Sequence, residues 1–158
     1  MKKWFLRRGT QGFLRALARL ARLRGAARRP GERIIEALGA TIARARGIAP
    51  DSDPAALGAT WQRAFPSKKQ VPIVAVDRET AYGEIHTPCP LRGTGDVGAC
   101  YRMMGYDRAF MKRAGARFVV IESQAEPNVT VCKIAIRRSD LPADDLIPAH
   151  VRHNTCDR

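Results

Sequence analysis

The sequence has no apolar run long enough to cross a membrane and few of the residues that a disulfide-linked protein needs. Its 158 residues include four cysteines, and no two of them form a Cys-x-x-Cys pair. Four cysteines in a chain of this length are too few for a disulfide scaffold, so we expect reduced thiols. The charged N-terminus lacks the continuous apolar segment and the cleavage site of a secretory signal. These absences predict a cytoplasmic protein.

Several motifs of enzymes and nucleic-acid binders are also missing. The sequence contains neither Gly-x-Ser-x-Gly nor His-Glu-x-x-His. Aromatic residues make up 6% of the chain and are not interleaved with basic residues as base stacking requires, so nucleic acid is not the expected partner. The Gly93-Thr94-Gly95 segment resembles a phosphate loop, but no Gly-Lys-Ser or Gly-Lys-Thr follows it, so it does not predict a nucleotide site.

Positive charge is concentrated at the start of the chain. The formal net charge is +13, and residues 1–33 contribute +10 of it through eleven Lys and Arg residues and one acid, Glu32. The basic character therefore belongs to the first segment and not to the protein as a whole. A basic segment of this kind is typical of a surface that contacts an anionic partner.

Residues 3–28 have the pattern of a basic amphipathic helix. One side carries apolar residues at helical spacing, namely Phe13, Leu17, Leu20 and Leu23. The other side carries Arg15, Arg19 and Arg22. Such a helix can lie on an anionic membrane surface, dock on a protein partner, or pack its apolar side on its own domain. The sequence leaves these three alternatives open, and it leaves a homo-oligomer open as well.

Two domains are predicted, a basic helix or anchor over residues 1–30 and a folded domain over residues 31–158. Gly25 and the 28–31 segment are the expected hinge between them. In the folded domain, apolar spacing and turn residues predict helices over 32–47, 54–65 and 97–114. They predict strands over 71–76, 81–86, 117–123 and 130–137, with an irregular tail after Ser139. This order favours an α+β fold in which helices cover a four-stranded antiparallel sheet.

Three of the cysteines lie in the segment that follows the second predicted strand. Cys89, Cys100 and Cys132, with His86 three residues before the first, have the residue types of a Cys₃His site for zinc or another thiophilic metal. A metal-free pocket that uses one thiolate fits the same residues. A second set of ligand types, His150, His153 and Cys156, lies in the tail.

The predicted 97–114 helix places Cys100, Met104 and Asp107 on one stripe. Because Cys100 lies near the start of the helix, the helix dipole is expected to favour its thiolate. Asp107 has apolar neighbours in sequence, so we expect it to be paired or to have a raised pKa. The expected partners are Arg108, Arg113 or a loop amide, and the functional alternative is a carboxyl that moves a proton beside a thiol.

These residues resemble a known family. A Cys-Pro pair after a strand (Cys89-Pro90), a helix with Cys100 and Asp107, and a last strand with Cys132 are similar to the L-2-amino-thiazoline-4-carboxylic acid hydrolase-like family. The resemblance covers about residues 32–138 and is clearest over 84–136. Small-molecule-binding domains of the 4-vinyl-reductase type also place cysteines around such a sheet.

The resemblance to the hydrolase-like family implies cleavage of a cyclic C–N bond in a small thiazoline-like acid. Either a thiolate, with Cys100 as the first choice, or a metal-bound hydroxide would attack the amidine carbon. Asp107 or His86 would move the proton, and Arg92 or Arg102 would hold a substrate carboxylate.

Pro88 and Pro90 fix the backbone around Cys89, which suits a residue of the substrate pocket, a ligand or a nucleophile, and equally a loop anchor. The alternative function is a non-catalytic module that binds a small molecule or a metal. The basic helix would then tether this module to a membrane surface or to a partner.

Overall fold

The computed structural model describes the backbone of residues 2–156 and the side chains of residues 9–152. Its α-helices are α1 (Lys2–Ala21), α2 (Arg28–Ala45), α3 (Pro54–Gln62), α4 (Val97–Met103), α5 (Gly105–Arg113) and α6 (Ala149–Cys156). Its strands are β1 (Ile73–Val76), β2 (Thr80–Ile85), β3 (Ala116–Glu122) and β4 (Cys132–Arg138). No helix within this part of the chain has both the length and the hydropathy that a membrane span requires.

The strands form one antiparallel sheet in the order β1-β2-β4-β3, so the predicted α+β class is confirmed. Strand β4 is central and pairs with β2 and β3, with Ile134 opposite Gly83 and Ala135 opposite Val119. Helix α3 packs on β2 and β4, and α5 packs on β3. The sheet is thus covered by helices that lie before and between its strands in the sequence.

Helix α1 contributes to the common core. Leu17, Ala18 and Ala21 are buried together with Trp61 and Phe110 of the helical layer. The division expected near residue 30 therefore does not coincide with a packing boundary.

Helix α1 ends at Ala21, and not at residue 28 as the sequence predicts. A turn around Gly25, whose φ is +57°, separates it from α2.

The single helix expected over 97–114 is two helices. It breaks at Met104, where ψ is 1°, directly before Gly105. Glycine lowers the cost of such a break because it disfavours a regular helix. The break lets α5 approach α2 so closely that a Cβ atom on Gly39 would lie 2.2 Å from the Tyr106 carbonyl oxygen.

The segment after Ser139 is more ordered than the sequence predicts. It ends in α6, and its residues 140–148 cover the far side of β4. Arg137 of β4 is buried, and its guanidinium donates to both carboxylate oxygens of Asp145 at 2.6 and 2.8 Å. Its Nε also donates to the Thr80 hydroxyl at 2.7 Å.

Candidate binding cavity beneath helix α1

A cavity of about 300 Å³ lies between α1, the end of α3, the α4–α5 break and the loops that follow β2 and β3. Its walls are mainly apolar, and six of the side chains that form them are Phe13, Leu14, Leu17, Phe65, Ile85 and Met104. Polar side chains reach it from separate segments, and they include Thr87, Cys89, Asp107, Gln124 and Cys132. An apolar cavity with a few convergent polar groups is the usual form of a small-molecule site.

Asp107 is the ionisable carboxyl in the cavity wall. Its side chain is 6% exposed, and its Oδ1 accepts a hydrogen bond from the indole N–H of Trp61 at 3.0 Å. Burial raises the pKa of Asp107 to about 6, although the Trp61 hydrogen bond and the Arg108 charge act in the opposite direction. The carboxyl therefore exchanges its proton near neutral pH. Trp61 was not predicted as a partner of Asp107; the expected partners were Arg108, Arg113 or a loop amide.

Gln124 fixes the loops around the cavity. Its side-chain amide donates to the carbonyls of Ile85 and Thr87 at 2.9 and 3.1 Å. Its Oε1 accepts from the backbone N–H of Cys89 at 3.1 Å and from the guanidinium of Arg92 at 2.7 and 2.9 Å. The side chain is fully buried, so these contacts replace water for both ends of the amide.

The cysteines that were expected to converge form one cluster with two faces. Cys89 and Cys132 line the cavity beneath α1, whereas Cys100 lines a groove on the opposite side. The helix breaks at Met104, between Cys100 and Asp107, and these two side chains line different pockets. The expected stripe that joins Cys100 to Asp107 is therefore divided.

Burial governs the chemistry of these thiols. It raises the pKa of Cys100 and of Cys132 to about 12, and it also raises the pKa of Cys89. The neighbouring cysteines add to the shift at Cys100 and Cys132, and a hydrogen bond with Ser123 only partly offsets it at Cys100. The expectation that the helix dipole favours a Cys100 thiolate is wrong, because the cost of burying the charge is larger.

The groove on the Cys100 side has a volume of about 320 Å³ and is covered by α6. At its rim the rings of Tyr101 and His150 stack with centroids 3.8 Å apart, and the Arg108 guanidinium lies 3.8 Å from the Tyr101 ring centroid. Arg108 also donates to the Tyr101 carbonyl at 2.6 Å. These groups contact one another, and the stack fastens α6 to α4.

His86 is not part of the cysteine cluster. It is exposed beyond the end of β2, and its Nε2 lies 2.7 Å from Glu84 Oε2. Within residues 9–152, no three His, Cys, Asp or Glu side chains are arranged to hold a metal ion. The set of His86, Cys89, Cys100 and Cys132 is therefore not assembled as a metal site. The side chains of His153 and Cys156, in the second predicted set, lie outside the described residues.

The two arginines expected to bind a substrate carboxylate are used in tertiary contacts. Besides its bonds to Gln124, Arg92 donates to the Thr130 carbonyl at 2.8 Å. Arg102 Nε donates to the Ala21 carbonyl at 2.6 Å, at the end of α1. Neither lines the cavity beneath α1, so the expected carboxylate clamp is not formed there.

Sequence reasoning missed Gln124 and the role of Trp61. Both are separated in sequence from the groups they bind, and neither belongs to a recognisable motif. The sequence feature that could have indicated Gln124 is a polar residue directly after a predicted strand.

No family model matches the chain, and no curated protein or solved structure matches it either. The likeness to the thiazoline hydrolase-like family accordingly stays a prediction from Cys89-Pro90, Cys100, Asp107 and Cys132.

Proposed function

We propose that the protein binds a small, mainly apolar molecule in the cavity beneath α1. The observation that carries this proposal is the cavity itself, about 300 Å³ in volume, with apolar walls and the Asp107 carboxyl in its lining. This volume is at the lower end of the range for small-molecule sites. A ligand with one or two rings and a single polar group has the matching size and polarity.

Two features favour binding over thiol chemistry. The thiols of Cys100 and Cys132 have pKa values of about 12, so their nucleophilic form is scarce at neutral pH. The polar groups of Gln124 are already bonded within the protein, which makes the cavity wall rigid. A preformed site loses less entropy when a ligand enters.

Asp107 gives the cavity its polarity preference. Below its pKa of about 6 the carboxyl can donate a hydrogen bond to a ligand, and above it the carboxylate accepts one. No basic side chain lines this cavity in the part of the chain with described side chains. A ligand with a hydroxyl or amine is therefore favoured over one with a carboxylate or phosphate.

The experiment is titration calorimetry with neutral bicyclic compounds that carry one polar group, such as indole and 1-naphthol. We expect one-to-one binding that Ala64→Phe abolishes, because Ala64 lies in the cavity wall and the larger side chain fills it. Ala59→Phe adds the same side chain at an exposed position of α3 and should leave binding unchanged. Absence of binding, or equal binding by both variants, would contradict the proposal.

A second candidate function, hydrolysis of a thiazoline-like C–N bond, is favoured by the pKa of Asp107 at about 6 within a cavity that Cys89 also lines. In this reaction a water oxygen attacks the amidine carbon and the ring C–N bond breaks. The protonated Asp107 carboxyl donates to the leaving nitrogen, and the carboxylate then takes a proton from the attacking water.

Hydrolysis is tested by mass spectrometry of 2-amino-2-thiazoline, which lacks a carboxylate, incubated with the protein. We expect Asp107→Asn to lower the rate by about a hundred-fold, the usual contribution of a positioned acid. Asp144→Asn removes an exposed carboxylate and should retain the rate. Absence of turnover, or equal rates in the two variants, would exclude this candidate.

A further inference from the structure

We propose that the outward face of the α1–α2 hairpin docks on an anionic membrane surface. This proposal goes beyond ligand binding and does not depend on it. The surface, called the basic face below, is formed by Arg15, Arg19, Arg22, Arg24, Arg29 and Arg33. All six side chains are exposed.

The basic face has little internal neutralisation. Residues 1–31 contain no acidic residue, and residues 9–46 contain nine arginines and two acids, Glu32 and Glu36. Glu32 pairs with a neighbouring arginine, Arg28, at 2.9 Å. None of the six arginines of the basic face is in a salt bridge with another described residue. Their charge is therefore available to an anionic partner, which is the complementarity that such a surface requires.

The packing of α1 fixes which side faces outward. Leu17, Ala18 and Ala21 are buried against the core, and Leu14 lines the cavity. Arg19 therefore lies on the side of the helix away from these contacts and Arg15 lies on its flank, whereas Arg22 follows the last residue of α1 and its charge acts on Cys89. Because the helix is packed in this way, the protein presents the arginines without unfolding or rearranging.

Exposed apolar side chains among the arginines favour a membrane over nucleic acid. Ile34 is 54% exposed and Leu23 is 36% exposed. Leu23 lies close to the first turn of α2, since a Cβ atom on Gly31 would be 3.1 Å from Leu23 Cδ1. Amphipathic segments that lie on membranes combine such apolar side chains with basic ones. Among residues 9–46, Phe13 is the one aromatic side chain, and although it is 38% exposed its ring packs edge-on against Tyr106, so no series of rings lies between the arginines on which successive bases could stack.

The experiment is vesicle flotation of the full chain with phosphatidylcholine vesicles, with and without phosphatidylglycerol. We expect binding only to the anionic vesicles at about 0.1 M salt, where the Debye length is about 10 Å. It should be lost at about 1 M salt, where that length falls to about 3 Å.

The diagnostic variant is Arg15→Gln/Arg19→Gln/Arg22→Gln. We expect it to lower the vesicle partition coefficient roughly a hundred-fold, at about five-fold for each basic residue near the surface. The matched control Lys68→Gln/Lys69→Gln/Arg78→Gln removes the same charge from exposed positions elsewhere and should bind like the unaltered protein. A third variant, Ile34→Ser, should lower partitioning about five-fold while keeping every arginine.

Circular dichroism melting of each variant separates loss of docking from loss of fold. The proposal is overturned if both triple variants lose binding equally, since the effect then follows net charge and not the basic face. It is also overturned if the protein ignores anionic vesicles but binds a short duplex DNA through the same three arginines.

Discussion

The cavity beneath α1 and the groove beneath α6 lie on opposite sides of one cysteine cluster, and their polar groups are used differently. In the groove, the rings of Tyr101 and His150 and the guanidinium of Arg108 contact one another. In the cavity, the Asp107 carboxyl lines the open volume and accepts a hydrogen bond from the Trp61 indole N–H and one from the backbone. The polar groups of the groove therefore attach α6 to α4, whereas the Asp107 carboxyl of the cavity can contact a ligand.

Adjacent residues mark the boundary between the two regions. Ser123 faces the groove and bonds Cys100, while Gln124 faces the cavity and fixes the segment 85–92 that follows β2. Chemical polarity alone thus does not identify a site. What distinguishes the cavity is the combination of open volume with an ionisable group whose partners do not saturate it.

Thiol reactivity gives the largest expected effect. Because the pKa of Cys100 and of Cys132 is about 12, against 9.0 for an ordinary thiol, their thiolate population in the folded protein is about a thousand-fold lower. Iodoacetamide should alkylate both at least that much more slowly in the folded protein than in denaturant. Cys89, half-buried in the cavity wall, should react first of the three, as peptide mass spectrometry can measure. Fast labelling of Cys100 or Cys132 would contradict the effect of burial on these thiols.

Replacement of Gln124 tests the cavity wall. Gln124→Ala leaves buried carbonyls, an amide and a guanidinium without their partner, so we expect the free energy of unfolding to fall by about 4 kcal/mol. Ser123→Ala, one residue away on the groove side, should cost about 1 kcal/mol. Urea denaturation of the two variants measures both values, and equal losses would contradict a wall held mainly from the cavity side.

The pH dependence of stability should carry the signature of Asp107. Its pKa is about 6 in the folded protein and 3.8 ordinarily, so the folded state keeps a proton that the unfolded state releases between these values. The free energy of unfolding should therefore fall, by on the order of 3 kcal/mol, as pH rises from about 4 to above 6. Asp107→Asn stays neutral and should lack this fall.

Asp144→Asn is the control for that measurement, because its carboxylate is exposed. It should reproduce the profile of the unaltered protein in denaturant melts across the same pH range. If Asp107→Asn also keeps the fall, another group is responsible for it.

The smallest effect is expected in the groove. Tyr101→Leu removes one ring contact and one cation–ring contact, and it should lower the free energy of unfolding by about 1 kcal/mol at pH 8. Burial and the Arg108 charge lower the pKa of His150, so this stabilisation is lost as pH falls below 6.5. The difference between variant and unaltered protein should shrink at pH 5, opposite in sign to the effect of Asp107. A difference that grows in acid would contradict the arrangement.

The fold was predictable because it rests on local patterns. Alternating β-branched residues and the spacing of apolar side chains place every strand, α2 and α3 close to their positions, whereas α1 ends seven residues before its predicted end and the predicted 97–114 helix is α4 and α5. The break at Met104 was not predictable from the sequence, because Gly105 permits a regular helix as well as a kink. Only the approach of α2 to Tyr106 decides between them.

The site was predictable only in part. The positions of Cys89, Cys132 and Asp107 were foreseen, since each lies in a segment whose type was correct. Their partners were not, because Trp61 and Gln124 reach them across long stretches of chain. Arg92 and Arg102 show the same limit. The sequence does not distinguish an arginine that donates to a backbone carbonyl of the same protein from one that binds a substrate.

The hydrogen bond from Arg102 to the Ala21 carbonyl has a mechanical consequence for α1. It fixes the C-terminal end of a 20-residue helix to α4, whereas Phe13 and Leu14, which cover the cavity, lie farther back along the same helix. The placement of Phe13 and Leu14 over the cavity therefore depends on this contact as well as on the buried side chains Leu17 and Ala18. Arg102, predicted to bind a substrate carboxylate, thus acts on the cavity indirectly, through the helix that covers it.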